Sequence, residues 1–244
     1  MGRIGARGRR VGAKAGRVVQ IEPSVMIATP SYSGTVPIPF ARSLLDTADA
    51  LGAAGVPYLW VDLSGCCHID RARDLLAATF IERTECSHLL FVDADMRWPA
   101  STAVRLLHAR RPVVGCCYQG RKPPHSWHVT KLEGEVADPY GFIEVERIAT
   151  GMMLIERAVL EQLGKSAEVY SELIDGTPLE VRRIFPPQAP GLWVSGDYAF
   201  CDRARAEGFG VYADLRTQVG HLGERWITGD MERMASTLFE EGKR

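Results

Sequence analysis

His-Leu-Leu-Phe-Val-Asp-Ala-Asp-Met, residues 88–96, opens with five residues that carry no formal charge and then sets two carboxylates one residue apart. A nearly unbroken apolar run of this length predicts a strand covered on both faces, the environment of a strand inside a parallel sheet. The flanking chain repeats the theme. Residues 24–29 (SVMIAT), 56–62 and 112–118 read as further short strands. Between them, Ala41, Leu44, Leu45, Ala48 and Leu51 recur at helical spacing before Gly55. Ile69, Ala72, Leu75, Leu76, Thr79 and Phe80 do the same, and Pro99 suits the first turn of a third helix reaching Leu107. Four strands alternate with three helices. That order predicts an α/β fold with an open, twisted, mostly parallel sheet and helices on both faces.

The second half is less regular. Residues 120–131 read as a loop carrying Arg121, Lys122, His125, Trp127 and His128, and 184–191 (IFPPQAPG) as a proline-stiffened loop. A strand is expected at 142–149, a short helix at 156–163, a helix at 197–207 ended by Gly208, a strand at 209–213 and a last helix at 229–241.

At 244 residues the chain fits one domain with an appendage. Its formal charge of −1 conceals an asymmetry. Residues 1–19 hold Arg3, Arg7, Arg9, Arg10, Lys14 and Arg17 and no acid, which leaves 23 basic against 30 acidic residues in the rest. We therefore divide the chain into a basic, flexible arm, 1–23, and a single domain, 24–244. The arm reads as a solvated tail or as a segment that attracts polyanions. No apolar run approaches the ~18 residues of a membrane span, and no apolar signal core follows the basic start. The six cysteines, Cys66, Cys67, Cys86, Cys116, Cys117 and Cys201, form neither a secreted framework nor a CxxC zinc motif, so a reducing cytoplasm is expected.

Asp93 and Asp95 follow a strand, and open α/β sheets bind ligands beyond the carboxyl ends of their strands. Two carboxylates so close need water, a base or a cation, and hard oxygen ligands suit Mg²⁺ or Mn²⁺. Two solvated acids in a turn would also produce the pattern. His221, between Val219-Gly220 and Leu222-Gly223, can be presented on a turn as a further ligand. Asp197 stands either as a helix cap or as a general base toward a hydroxyl. Arg71 and Arg73, near a helix start, suit phosphate or base contacts. Thr29, Pro30, Tyr32 and Gly34 form a loop against which a base could pack.

In their order, the segments TPSYSG, IDRARD, HLLFVDADM, VVGCCY, ATGMMLI and SGDYAFCDRARAEGFGVYADLRTQVGHLG resemble the nucleotide-sugar-dependent glycosyltransferases of the GT-A fold, most of all their small bacterial and phage members. The resemblance spans residues 24–223. It implies a Rossmann-like GT-A domain in which Asp93, Asp95 and His221 hold Mn²⁺ or Mg²⁺ on the donor diphosphate. It assigns Thr29, Pro30, Tyr32, Asp62, Arg71, Arg73, Asp93, Ala94 and Gly151 to the nucleotide-sugar, UDP- or GDP-linked, and makes Asp197 the catalytic base. Thr150-Gly151-Met152 would line the cleft. Two positions depart from the pattern: Gly196 stands where the family carries Glu, and Asp74 where relatives often carry Asn.

The implied reaction is metal-dependent glycosyl transfer to an acceptor hydroxyl, either on a glycan or on a hydroxymethylated DNA base reached through the basic arm. An inverting enzyme would use Asp197 as base, whereas a retaining one can use the leaving phosphate. The alternatives are a nucleotidyltransferase and a nucleic-acid-binding protein with an inactive α/β body. The oligomeric state is open.

Overall fold

The computed structural model describes residues 22–235 except 175, 189, 190, 192, 224 and 225. All but the last two residues of the expected basic arm, and the 236–241 part of the expected last helix, lie outside the described residues.

The chain begins β1 (Val25–Ser31), α1 (Ile38–Ala53), β2 (Tyr58–Ser64), α2 (Ile69–Arg83), β3 (His88–Val92), β4 (Met96–Arg97), α3 (Thr102–Ala109) and β5 (Val113–Cys116). It continues through β6 (Val129–Lys131), β7 (Phe142–Ile148), β8 (Met152–Glu156), α4 (Arg157–Gly164), β9 (Val169–Ile174) and β10 (Thr177–Arg182). It ends in α5 (Gly196–Ala206), β11 (Val211–Asp214), β12 (Gly220–Leu222), β13 (Trp226–Thr228) and α6 (Met231–Ala235).

Eight strands form the central sheet in the order β2-β1-β3-β8-β5-β11-β7-β6. The pairings make it mixed but mostly parallel: six strands run one way, and β7 and β8 run against them. Strand pleating explains the two-faced core, since neighbouring residues point to opposite sides. Met26, Ala28, Leu89 and Phe91 face a cluster with Leu76 and Phe80 of α2, Leu160 of α4 and Phe200 of α5. Val25, Ile27, Leu90 and Val92 face another with Phe40 and Leu51 of α1 and Leu106 of α3. Helices thus cover both faces, as the alternation of elements predicts.

The structure departs from the sequence reading in particular places. β8 lies antiparallel between β3 and β5, so those two strands are not neighbours. Its residues Met152 to Ile155 are all buried, which is why the strand shows no alternation. β1 runs through Pro30 to Ser31 rather than breaking at Pro30. Pro99 precedes α3 instead of opening it, and its carbonyl accepts the Thr102 N–H at 3.1 Å and hydroxyl at 2.7 Å. The β9–β10 hairpin was not anticipated. Gly176 in its turn has φ +76°, a conformation that favours glycine. The 184–191 loop is tied down at its start: Phe185 is buried, edge-on to Phe91 at 5.4 Å and stacked on Phe200 at 4.7 Å.

Candidate active site

The strand β3 delivers its two carboxylates into a tight turn. The Asp93 N–H donates to the Gly151 carbonyl at 3.0 Å, the Met96 N–H returns to the Asp93 carbonyl at 3.1 Å, and the Leu222 N–H donates to the Asp95 carbonyl at 2.9 Å. A small second sheet, β13-β12-β4, completes the frame. Its register sets His221 opposite Met96, one residue from Asp95. Residues more than 120 apart in sequence therefore meet through backbone hydrogen bonds.

Gly151 has a steric reason to be glycine. A Cβ there would lie 2.4 Å from the Tyr118 hydroxyl, which accepts the Gly151 N–H at 3.0 Å. Tyr118 is buried and meets His221 edge-on at 5.1 Å.

The two acids have different partners. Asp93 faces Arg73, whose Nη2 is 3.3 Å from each carboxylate oxygen. Burial pushes the Asp93 carboxyl above its ordinary pKa, opposed by Arg73 and reinforced by Asp95. Asp95 forms an ion pair with Arg121 and lies 3.4 Å from His221 Nε2. Burial works to raise the Asp95 carboxyl, and the Arg121 guanidinium beside it works to lower it. His221 Nδ1 lies 2.9 Å from the Gln119 carbonyl, to which it donates, leaving Nε2 as an acceptor. The Arg121 Nε donates to it at 2.9 Å.

Asp95 Oδ1, Arg73 Nε and Thr150 Oγ1 are buried without a hydrogen-bond partner. Buried polar atoms are nearly always satisfied, and these three retain hydrogen-bonding capacity for a water or a ligand. An unused carboxylate oxygen beside an imidazole lone pair suits a hard or borderline divalent cation. Among the described residues, no three His, Cys, Asp or Glu side chains are gathered closely enough to hold an ion alone. A Mg²⁺- or Mn²⁺-type ion commonly draws its remaining ligands from water and substrate phosphates, so the residues present fit that group.

An open cleft of about 360 Å³ adjoins, lined by Asp70, Arg73, His128, Trp193, Asp197 and Tyr198 among others. Asp197 sits in the first turn of α5. Its Oδ1 accepts the Ser195 hydroxyl, and it accepts the Tyr198 N–H at 3.0 Å. Ser195 is the N-cap residue, yet its side chain caps no helix N–H.

The structure thus gathers Asp93, Ala94, Asp95, Gly151, His221 and Arg73 around one turn and sets Asp197 in the cleft that Arg73 also lines. The other candidates are placed elsewhere. Thr29 is fully buried, its hydroxyl accepting the Trp60 indole N–H at 3.1 Å, and Pro30 is buried within β1. Tyr32 is exposed just beyond β1, and Asp62 accepts the Ser64 hydroxyl at 3.1 Å near the end of β2. Arg71 turns outward to Glu172 of β9.

Sequence reasoning passed over two residues. Asp70 lines the cleft and accepts the Gly196 N–H, and burial raises its carboxyl against the pull of Arg73. Its place one residue ahead of Arg71 in IDRARD was the available signal. Arg121 was read only as part of a basic loop, and nothing local announces that it reaches Asp95.

No protein-family model matches the chain, and no curated protein matches it in sequence. Solved structures do match. A197 from STIV gives a TM-score of 0.53 at 18% identity, over 86% of this chain and 91% of that one. The inositol-1-phosphate CTP transferase from T. maritima gives 0.41 at 13% identity over 83% and 90% of the two chains. A glycosyltransferase involved in the glycosylation of the major capsid of PBCV-1 gives 0.32 at 13% identity over 57% and 63%. The two weaker likenesses carry no weight here, and the similarity to A197 from STIV shows a shared fold.

Proposed function

We propose that this chain is a glycosyltransferase that moves a sugar from a UDP- or GDP-sugar to an acceptor hydroxyl. One observation carries the reading: Asp95 and His221 meet at the end of a central strand, and Arg73 links that turn to a cleft holding a second carboxylate, Asp197. The side chains of Asp70, Asp93, Asp95 and Asp197 outnumber the guanidiniums of Arg73 and Arg121 two to one, a balance that a divalent cation would correct.

Asp95 and His221 would hold Mn²⁺ or Mg²⁺ with Asp93 at its flank, and the bound ion would neutralise the diphosphate leaving group. The chain's own groups then have separable tasks. Arg73, buried and fixed on Asp93, keeps a positive charge at the donor side. Asp197 orients the acceptor hydroxyl and takes its proton as the new bond forms. Tyr32, just beyond the end of β1, and Asp62, near the end of β2, would flank the place where a nucleoside rests. Gly151 leaves room for the Tyr118 hydroxyl against the turn that carries Asp93.

The test is a thermal-shift and transfer assay with UDP- and GDP-sugars, with and without Mn²⁺. Glycan and hydroxymethylated-DNA acceptors are offered side by side. The reading expects donor stabilisation that grows with Mn²⁺, and sugar transfer lost in Asp95→Ala. Pyrophosphate release from a nucleoside triphosphate, without sugar transfer, would make the chain a nucleotidyltransferase instead.

A further inference from the structure

Arg121 occupies an unusual position. Its side chain is more than half exposed, yet its guanidinium donates through Nε to His221 Nε2 at 2.9 Å and pairs with Asp95. The imidazole lone pair it occupies is one that a cation at this site would need, and its charge sits on the Asp95 oxygen next to the unpartnered Oδ1. A guanidinium and a metal ion cannot share the same imidazole lone pair, so occupancy by one excludes the other. Arg121 is also coupled to the histidine through its own loop, because the Gln119 carbonyl two residues earlier accepts from His221 Nδ1. That bond leaves the imidazole in place when Arg121 departs.

We infer that Arg121 is an exchangeable counter-ion. It holds the Asp95–His221 pair while no cation is bound, and it transfers to the donor's diphosphate when the cation enters. The second half follows from charge. A guanidinium displaced from a carboxylate next to bound substrate needs another anion, and the diphosphate is the anion the reaction brings; arginine's planar donor fork suits phosphate oxygens. The exposure of Arg121 gives it room to move. This inference rests on the proposed cation at Asp95 and adds a diphosphate-binding residue to that site.

The experiment measures Mn²⁺ affinity from the free Mn²⁺ signal in electron paramagnetic resonance, and UDP and GDP affinity by calorimetry at saturating Mn²⁺. The proteins are the full chain and its Arg121→Gln and Lys122→Gln variants. Lys122→Gln removes a charge from the same loop and controls for general electrostatics. Arg121→Gln is expected to bind Mn²⁺ alone about 3–10-fold more tightly, since a competing, partly exposed ion pair is gone. It is expected to bind the nucleotide about 10-fold more weakly once Mn²⁺ is present. Lys122→Gln should match the wild type in both. Equal Mn²⁺ affinity in Arg121→Gln and wild type overturns the inference and leaves the cation reading standing. An Arg121→Gln effect matched by Lys122→Gln also overturns it. Failure of all three proteins to bind Mn²⁺, with or without nucleotide, overturns the cation reading and the inference together.

Discussion

The Asp70 carboxylate stands where a side chain on Gly196 would go: a Cβ built at position 196 lies 2.2 Å from Asp70 Oδ1 and 2.2 Å from the Phe185 carbonyl oxygen. Asp70 also accepts the Gly196 N–H at the start of α5. The space of a side chain at position 196 therefore belongs to an acid from another helix. Gly196→Ala is expected to destabilise the protein by about 1–3 kcal/mol, since the obstructing carbonyl is backbone and cannot swing aside. Thermal melting checks this. A variant melting with the wild type would mean that α5 shifts freely at its first turn.

Asp74 gives a pH-dependent prediction. Its Oδ1 accepts the Ile184 and Phe185 N–H groups at 2.8 and 2.7 Å, pinning the loop that carries Phe185 into the core. Burial dominates over those two hydrogen bonds and pushes its carboxyl up to about 7. A carboxyl with a raised folded-state pKa binds its proton more tightly folded than unfolded. Its stabilising contribution is full at low pH and is lost as pH rises through about 7. Asn keeps the accepting oxygen and carries no charge to bury. Asp74→Asn should therefore melt near the wild type at pH 5 and above it at pH 8.5, by several degrees at about 2–4 °C per kcal/mol. A loss of stability at pH 8.5 would show that the two N–H groups require the charged form.

Much of the frame could be read ahead because its signals are local. The apolar strand ending in Asp93, the helical spacing from Ile69 to Phe80 and the Gly208 stop each lie within one short segment. β8 was harder to see, since a strand buried on both faces loses its alternation and only long-range pairing shows where it inserts. The site divides in the same way. Asp93, Asp95 and His221 could be named from their flanks, but the Asp70–Gly196 contact and the reach of Arg121 to His221 join segments 100 or more residues apart in sequence. Arg71 shows the converse: its place beside Arg73 suggested a shared task, yet helical geometry turns it to Glu172 on the hairpin.

Asp214 tests the far side of the sheet. It is fully buried at the end of β11 and accepts from Arg105 Nε at 2.7 Å and Nη2 at 2.8 Å, from the Thr217 hydroxyl at 2.5 Å and from the Arg216 N–H at 3.0 Å. Removing one partner leaves the others unpaired in the interior. Asp214→Ala is expected to cost about 3–5 kcal/mol, read from denaturant unfolding. Asp214→Asn should cost less, because its one carbonyl oxygen can still accept from the Arg216 N–H while its amide donates to the Thr217 hydroxyl. Equal losses in the two variants would assign the effect to charge rather than to unpaired donors.

Asp197 separates chemistry from binding. It lies in the cleft with Asp70 and Arg73, and its Oδ1 is held by the Ser195 hydroxyl and the Tyr198 N–H. If it removes the acceptor proton, Asp197→Asn keeps the size and most of the hydrogen bonding while losing the base. Transfer should then fall by about 10²–10⁴-fold in kcat, the usual range for general-base loss. Donor stabilisation in the thermal-shift assay should stay near that of the wild type, because the donor-side groups Arg73, Asp93 and Asp95 are untouched. Asp95→Ala should show the opposite order, losing Mn²⁺-dependent donor stabilisation along with turnover. A kcat within a few-fold of wild type in Asp197→Asn would remove it as the base and turn attention to Asp70, the other carboxylate lining the same cleft.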